Sequence, residues 1–279
     1  MKLVSSAKLR KAQNAIEAMR PYEEQLLGIL ASLQGGMAGR SSVMPGSDRA
    51  SAPKTIVAIA SNSSLCGGFN ANAIAKVRAI RRPGDTVYAI GRKMADAMRK
   101  EGFASPEDFS ALSEHPSYGP AAALVEKLVA DVEAGRTGAV VLVYNHFVST
   151  ARQEPVVEVL MQRSSEGEES LSSTSLRDPV RANVPERDSS PAPSYIAPLL
   201  EPSRAVLLEA LVPKTRKLKL YAALLDSAAA EHAARTVAMQ TATDNAENLL
   251  SELTLQYNKG RQQKITSEIL DLAGGQAEN

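Results

Sequence analysis

The chain has 279 residues, of which only 4% are aromatic and none is tryptophan, so we expect an elongated, helix-rich protein. Thirty-two lysine and arginine residues nearly balance 31 aspartate and glutamate residues, which argues against a nucleic-acid-binding function. The single cysteine excludes an intramolecular disulfide bond, and no apolar run reaches the roughly 18 to 20 residues that cross a bilayer, so we expect no transmembrane span.

The first third of the chain divides into three segments of different character. A broadly apolar helix is predicted over Met1–Leu33, with a kink at Pro21, in an N-terminal helical region 1–36 that ends in two glycines. A flexible linker rich in glycine and serine follows over 37–53. The apolar, β-branched run Thr55–Ser61 then predicts a strand that is covered on both faces.

Strands and helices alternate after this first strand. The predicted elements are helices over Phe69–Ile80, Lys93–Lys100 and Ala121–Ala134, strands over Thr86–Ile90 and Ala139–Tyr144, and a returning hairpin strand over Pro155–Gln162. This alternation predicts a doubly wound, Rossmann-like α/β domain over 54–202. The segment 164–193 within it is rich in serine, proline and charge, which predicts a disordered loop.

The last quarter of the chain predicts one uninterrupted helix over Thr215–Ala273. Its apolar and small residues recur at alternating steps of three and four, which is a coiled-coil register. These positions are Leu218, Ala222, Leu225, Ala229, His232, Thr236, Met239, Thr243, Ala246, Leu250, Leu253 and Tyr257. A short helix over Ser203–Leu211 precedes Pro213, which predicts a break, so the C-terminal arm 203–279 contains a long helix from about 214.

A helix of this length needs partners along its whole extent. The N-terminal helix is the obvious partner within the chain, because the α/β domain lies between the two helices in sequence. We therefore predict a fold of α/β class with long helices: an antiparallel coiled coil of the N- and C-terminal helices with an inserted Rossmann-like α/β domain.

The segment Ser61–Asn70 lies where the first strand meets the first helix of the α/β domain, which is the phosphate-binding position of nucleotide folds. Its glycine pair, Gly67 and Gly68, lacks the GxGxxG spacing and a following lysine, so a structural turn is favoured and nucleotide binding is the alternative. Cys66 is interpreted as a buried, inert thiol, with a nucleophile as the alternative.

Two other polar features have simple structural interpretations. The three histidines, His115, His146 and His232, do not have metal-ligand spacing, so we predict neither a metal site nor a cofactor. His232 is interpreted as a polar seam residue that fixes the helix register. The polar stretch Tyr257–Glu268 would, by itself, be interpreted as a solvated helix face.

Three stretches carry a family pattern: Met1–Gln13 (MKLVSSAKLRKAQ), Leu65–Asn70 (LCGGFN) and the C-terminal combination of Glu231–Met239 (EHAARTVAM), Ala242–Ala246 (ATDNA) and Leu253–Glu268 (LTLQYNKGRQQKITSE). Together they resemble the gamma subunit of F-type ATP synthases, which is the central rotor shaft. With the order of elements between them, the resemblance covers the whole chain. It implies that the two helices form the shaft, that the α/β domain forms the foot, and that the protein has no catalytic residues and no cofactor of its own.

The resemblance also implies partners and positions. The implied partners are the alpha and beta subunits of the catalytic hexamer, the epsilon subunit and the membrane c-ring, at the cytoplasmic face of a bacterial inner membrane. The positions that match contacts with the beta subunits are Met1, Lys8, Arg261, Gln262, Thr266 and Glu268. The positions that match structural residues of the family are Cys66, Gly67, Gly68, Phe69, Asn70, His232, Arg235 and Met239.

The sequence departs from the family pattern at two places. The turn has Ser61–Ser64 (SNSS) where many relatives have Ser-Asp-Arg-Gly, so a contact made by that Asp-Arg pair is not expected here. Met1 matches a position inside the family's first helix, and we expect a chain extended upstream to assemble and rotate more efficiently.

Two other functional classes remain as alternatives to a rotor subunit. From the helix periodicity alone, the chain would be a coiled-coil scaffold protein with an α/β interaction domain. An enzyme that uses Cys66 or the Gly67–Gly68 turn ranks third.

Overall fold

The computed structural model describes residues 2–34, 53–163, 201 and 203–275. Met1, the predicted loop 164–193 and the predicted linker 37–53, apart from Pro53, lie outside the described residues. The helices are α1 (Lys2–Gln34), α2 (Phe69–Ile80), α3 (Arg92–Lys100), α4 (Ser110–Glu114), α5 (Tyr118–Glu133) and α6 (Arg204–Gly275). The strands are β1 (Lys54–Ile59), β2 (Thr86–Ile90), β3 (Ala139–Phe147) and β4 (Gln153–Gln162).

The four strands form one mixed sheet in the order β2-β1-β3-β4. The central strand β1 pairs in parallel with β2 and with β3, whereas β4 returns antiparallel to β3 as predicted. Alternate residues of β1 enter opposite cores, which is why a continuous apolar run is needed there. Ile56 and Ala58 pack under α2 and α3, and Val57 and Ile59 pack under α5 and α6.

The helix α6 therefore belongs to the core of the α/β domain. Its residues Leu220, Ala223 and Leu224 are almost completely buried and pack in one cluster with Leu142 of β3 and Leu128 of α5. A sheet with helices on both faces normally supplies both layers from its own crossovers. Here the long C-terminal helix completes one of the layers.

The helices α1 and α6 pack antiparallel, as the sequence predicts. Leu9, near the start of α1, packs against Ala229 and Ala233, in the middle of α6. Farther along α1, Glu23 lies within electrostatic range of Lys219, which is earlier in α6. Alanines at the contact let the two helix backbones approach closely while each one buries little apolar area.

The predicted break at Pro213 is wrong. One helix of 72 residues runs through this position, and α1 likewise continues through Pro21. A proline removes one backbone hydrogen bond, but buried contacts on both sides of Pro213 favour continuing the helix. Val212 and Thr215 are each 5% exposed, and the Thr215 hydroxyl donates to the Leu211 carbonyl oxygen at 3.0 Å.

The burial of α6 changes abruptly along its length. The predicted seam is buried or half-buried from Leu218 to Met239, whereas every residue from 241 to 270 is exposed. We call residues 241–270 the distal half of α6. At about 1.5 Å per residue, the 72-residue helix is about 110 Å long, so the distal half projects about 45 Å beyond the packed part.

Candidate functional site

The turn between β1 and α2 is closed by a polar network around Asn70. Its side-chain oxygen accepts a hydrogen bond from the Ser61 amide at 3.0 Å, and its amide nitrogen donates to the Cys66 sulfur at 3.1 Å and to the Ser63 carbonyl oxygen at 3.3 Å. Gly67 has a φ of 57°, a left-handed conformation that glycine adopts without strain. The glycine pair therefore serves the geometry of a tight turn.

Cys66 is buried, as predicted, with 2% of its surface exposed. It packs in one cluster with Phe69 and with Ala230 and Ala234 of α6. Asn145 of β3 also stabilises the turn, since its side-chain amide donates a hydrogen bond to the Phe69 carbonyl oxygen at 3.0 Å. The turn thus packs onto the long helix through small apolar contacts.

Arg235 of α6 connects the turn after β1 with the long helix. The Arg235 guanidinium donates to the Ser63 hydroxyl at 3.0 Å and to the Glu231 carboxylate at 2.7 Å. The side chains of Arg235 and Glu231 are 13% and 12% exposed, so this ion pair lies in a region of reduced dielectric. The turn is therefore joined to the long helix by polar as well as apolar contacts.

The electrostatics of this junction favour a neutral imidazole at His232. Burial, followed by the positive charges of Arg235 and Lys8, lowers the pKa of His232 to about 4. Burial also raises the pKa of Glu231, and the Arg235 guanidinium opposes that change. The neutral His232 ring can accept a hydrogen bond from Arg235, whose guanidinium lies 3.5 Å from Nδ1.

A shallow cleft of about 180 Å³ lies beside the turn. Its lining comes from the turn, the β3–β4 hairpin and α6, and none of the described residues that line it is a lysine or arginine. Pockets that hold small ligands are typically about 300–1,000 Å³, and a phosphate would need cations or free backbone amides. The geometry favours the structural interpretation of this turn over nucleotide binding.

The predicted beta-contact residues do not form one site. Arg261, Gln262, Thr266 and Glu268 are all exposed on the distal half of α6. Lys8 is exposed on α1 beside Glu231 and His232, about 29 residues of α6 or roughly 45 Å away from Arg261. Met239 is half-buried between these two regions, and Met1 lies outside the described residues.

Two polar partners were missed by the sequence analysis. One is Ser63, which receives the Arg235 bond. The other is Asp226 of α6, whose carboxylate accepts from the Phe147 amide at 3.0 Å and lies 2.5 Å from His146 Nδ1. The sequence did contain a signal for Asp226, because it is a carboxylate among small and apolar residues of a predicted packed helix. A carboxylate buried there requires a polar partner.

Neither a metal site nor a membrane span is found in the described part of the chain. Within residues 2–34, 53–163 and 203–275, no group of three or more histidine, cysteine, aspartate or glutamate side chains is arranged to hold a metal ion. None of the helices described has an apolar stretch long enough to cross a membrane.

Comparisons of the fold with solved structures find chains of mitochondrial ATP synthases. The chain is similar to a chain of the central stalk and c-ring structure of the Tetrahymena thermophila mitochondrial ATP synthase, with a TM-score of 0.57, 17% identity and coverage of 87% of this chain and 97% of that one. It is also similar to a chain of the Euglena gracilis mitochondrial ATP synthase in rotational state 3, with a TM-score of 0.59, 18% identity and coverage of 98% and 94%. At these identities the likeness shows a shared fold.

Comparisons of the sequence with curated proteins find relatives of higher identity. Curated proteins named ATP synthase gamma chain are 42% identical in Phocaeicola vulgatus, 38% in Bacteroides fragilis and 36% in Heliobacterium modesticaldum, each over 99% of this chain and 91% of the relative. The family model described as ATP synthase matches residues 1–277. The exposed rod, the α/β domain packed on its base and these matches agree, and the chain belongs to the gamma chain family of the ATP synthases.

Proposed function

We propose that this chain is the non-catalytic central-stalk rotor subunit of an F-type ATP synthase. In this role α1 and α6 form the shaft, and the sheet with α2 to α5 forms the foot. Rotation of the membrane ring turns the foot, and the asymmetric shaft drives the catalytic subunits through their nucleotide states in sequence. A rigid body that biases bistable neighbours is sufficient for this coupling, so the rotor itself needs no reactive group.

The observation that carries the proposal is the division of α6 into two halves. Residues 215–240 pack in the foot and against α1, and residues 241–270 are a fully exposed helix of about 45 Å. Most of the stability of helices in proteins comes from tertiary packing, which this half lacks in the described part of the chain. Subunits that surround the distal half would supply this packing. When the foot rotates, the face of the helix that each of these subunits contacts would change.

The partners we propose are the alpha and beta subunits around the distal half, and the epsilon subunit and the membrane c-ring at the foot. As a member of the family, the chain is part of a membrane-bound complex. The bacterial origin of the relatives supports a position at the cytoplasmic face of the inner membrane.

The proposed contacts with the beta subunits are made by Arg261, Gln262, Thr266 and Glu268, with Lys8 nearer the foot. All five are exposed. Among the described residues, Thr266 and Glu268 make local contacts: the Thr266 hydroxyl donates to the Gln262 carbonyl oxygen at 2.8 Å, and the Glu268 carboxylate lies 4.0 Å from the Lys264 ammonium group. Such local contacts leave most of their hydrogen-bonding capacity available for loops of another subunit.

Single-molecule rotation tests the proposal directly. Cys66 is buried and unsuited to labelling, so a probe would be attached through Glu133→Cys, an exposed position at the end of α5. The chain would be combined with purified alpha and beta subunits and supplied with ATP. We expect unidirectional rotation of the probe. An assembled, ATP-hydrolysing complex with a stationary probe would contradict the rotor function.

A double substitution separates a rotor from a passive scaffold. Arg261→Ala with Gln262→Ala removes two exposed side chains from the distal half without affecting the foot, so assembly should persist while proton pumping per ATP hydrolysed falls. Arg99→Ala with Lys100→Ala, on the exposed side of α3, is the control and should leave this ratio unchanged. Equal coupling in both variants would refute the proposed contacts.

A further inference from the structure

Asp226 links the shaft to the foot through two directional contacts. It lies on α6, and its carboxylate is only 18% exposed. One carboxylate oxygen accepts a hydrogen bond from the Phe147 amide at 3.0 Å, and the other oxygen lies 2.5 Å from Nδ1 of His146. Both of these residues are at the end of β3, where the strand turns into the β3–β4 hairpin. The carboxylate therefore holds the end of the interior strand β3 against the shaft.

A second ion pair joins the same two parts nearby. Lys219 of α6 donates to the Val159 carbonyl oxygen and lies near the Glu158 carboxylate, in each case at 3.3 Å, and both residues are on β4. The Tyr144 hydroxyl of β3 donates to the same carboxylate at 3.2 Å. The foot and the shaft thus share a polar interface beside their apolar core.

The charges that act on His146 belong to Asp226 of α6 and to Glu158 and Glu154 of β4. On α1, Glu23 lies within electrostatic range of the same Asp226 and Glu158, and of Lys219 and Arg20. The three carboxylates that act on His146 favour a protonated imidazole. The hydrogen bond with Asp226 is the main cause that raises the pKa of His146, and partial burial acts against it.

We propose that His146 and Asp226 form a protonation-dependent clamp, with His146 as a positioning residue that fixes the foot sheet on the shaft most firmly when its ring is protonated. The inference rests on the proposed rotor function, because a rotor must transmit torque across this interface. Apolar contacts are non-directional and resist sliding weakly, whereas the two bonds to Asp226 define one register of β3 against α6. Protonation converts the histidine bond into a charge-assisted one.

The sign of the pH dependence follows from the raised pKa. A group whose pKa is higher in the folded state stabilises that state below its unfolded pKa, and the stabilisation is lost as pH rises through the folded pKa. The clamp is therefore firm on the acidic side of neutrality and weakens as the medium becomes more alkaline.

Proton NMR of the free protein tests the geometry without reference to rotation. His146→Gln identifies the His146 ring signal, and the titration midpoint of that signal is then compared between the unsubstituted chain and Asp226→Asn. The asparagine retains the size of the side chain and an acceptor for the Phe147 amide. We expect the midpoint to move to lower pH in Asp226→Asn. An unchanged midpoint would overturn the clamp.

The assembled ATP synthase tests the consequence for coupling. We would measure protons pumped per ATP hydrolysed from pH 6.5 to 8.5 for the unsubstituted chain, for His146→Gln, and for His115→Gln at an exposed position. The expected deficit of His146→Gln is larger at pH 6.5 than at pH 8.5, while His115→Gln matches the unsubstituted chain throughout.

The two failures are distinguishable. A His146→Gln deficit that is absent at pH 6.5, or equal at every pH, would refute the clamp in a working rotor. Failure of the unsubstituted chain to couple at all would instead contradict the rotor function, and the NMR midpoint would still decide whether the clamp exists.

Discussion

Gly91, between β2 and α3, allows two loops of the foot to approach each other closely. Its φ is 101°, and a Cβ atom placed there would lie 2.1 Å from the Ala60 carbonyl oxygen, which is a backbone atom that has little freedom to move. Gly91→Ala therefore adds a steric overlap to an unfavourable backbone conformation. We expect it to lower the free energy of unfolding by about 3 kcal/mol or more, measured by urea denaturation.

Gly84 provides the matched control. It also has a positive φ, 94°, but a Cβ there would meet no heavy atom within 4 Å. Gly84→Ala should lower the free energy of unfolding by only about 1 kcal/mol, through backbone strain alone. Equal effects at the two glycines would show that the contact with Ala60 is unimportant.

His232 should remain neutral well into the acidic range. Its pKa is lowered from 6.5 to about 4, mainly by burial and then by the charges of Arg235 and Lys8. Between these two pH values the unfolded chain binds more protons than the folded chain, so this group's contribution to stability is present above pH 6.5 and is lost as pH falls towards 4.

NMR titration of the His232 ring checks this prediction. In the folded protein its midpoint should lie near pH 4, and Lys8→Gln should move it upwards because a repelling charge is removed. Lys100→Gln, on the foot, should leave the midpoint unchanged. A midpoint near that of an exposed histidine would mean that the ring is solvated.

At the scale of single elements, Pro213 costs the long helix a hydrogen bond. The side chain is exposed and the helix continues through it, so its ring is not needed for packing. Pro213→Ala should raise the free energy of unfolding by about 1 to 3 kcal/mol in thermal or urea denaturation. Pro106→Ala, in an exposed loop, should bring no such gain. A destabilised Pro213→Ala protein would point to a constraint that packing does not reveal.

The distal half of α6 should be the least protected long segment among the described helices and strands of the free protein. Its residues are exposed, whereas residues 215–240 are buried or half-buried with the exception of Val237. Amide hydrogen exchange should therefore be fast over 241–270 and slow over 215–240. Addition of alpha and beta subunits should slow exchange in the distal half. Slow exchange there in the free chain would mean that it self-associates.

The sequence predicted most elements because their patterns are strong and local. The α2 and β2 bounds agree with Phe69–Ile80 and Thr86–Ile90, and the hairpin return of β4 is confirmed. The short helix α4 was missed, because five residues are too few to display a helical period. The error at Pro213 has a different cause, since burial of neighbouring residues overrode a local helix-breaking preference.

At the scale of the whole molecule, shaft and foot share one core, so they should unfold together. Leu224 of α6 is 1% exposed among residues of β3 and α5. Leu224→Ala should lower the free energy of unfolding by about 2 to 5 kcal/mol. Leu250→Ala, at a residue that is 68% exposed in the distal half, should change it by less than about 0.5 kcal/mol.

The check is hydrogen exchange read in both parts of the Leu224→Ala protein. Protection should fall in β1 of the foot as well as in the buried half of α6, because a cavity in a shared core weakens everything that packs around it. If only the helix lost protection, the foot would be an independently stable unit.

The candidate site could be predicted in parts but not as an assembly. The turn around Cys66 and the group around His232 were each recognisable from sequence. Their junction depends on the bond from Arg235 to Ser63, which joins residues 172 positions apart, and no local pattern encodes such a pair. The same is true of His146 and Asp226. Polar contacts between distant segments are fixed by packing, so they emerge only in the folded molecule.

The exposed distal half has a consequence for the life of the protein before assembly. It presents Leu249, Leu250, Leu253, Leu255, Tyr257, Ile265, Ile269 and Leu270 to solvent, each at least 47% exposed. Apolar surface of this extent promotes aggregation when nothing covers it. When the chain is synthesised in excess of its partners, the excess should therefore aggregate. The exposed helix thus requires that the subunits be produced in matched amounts.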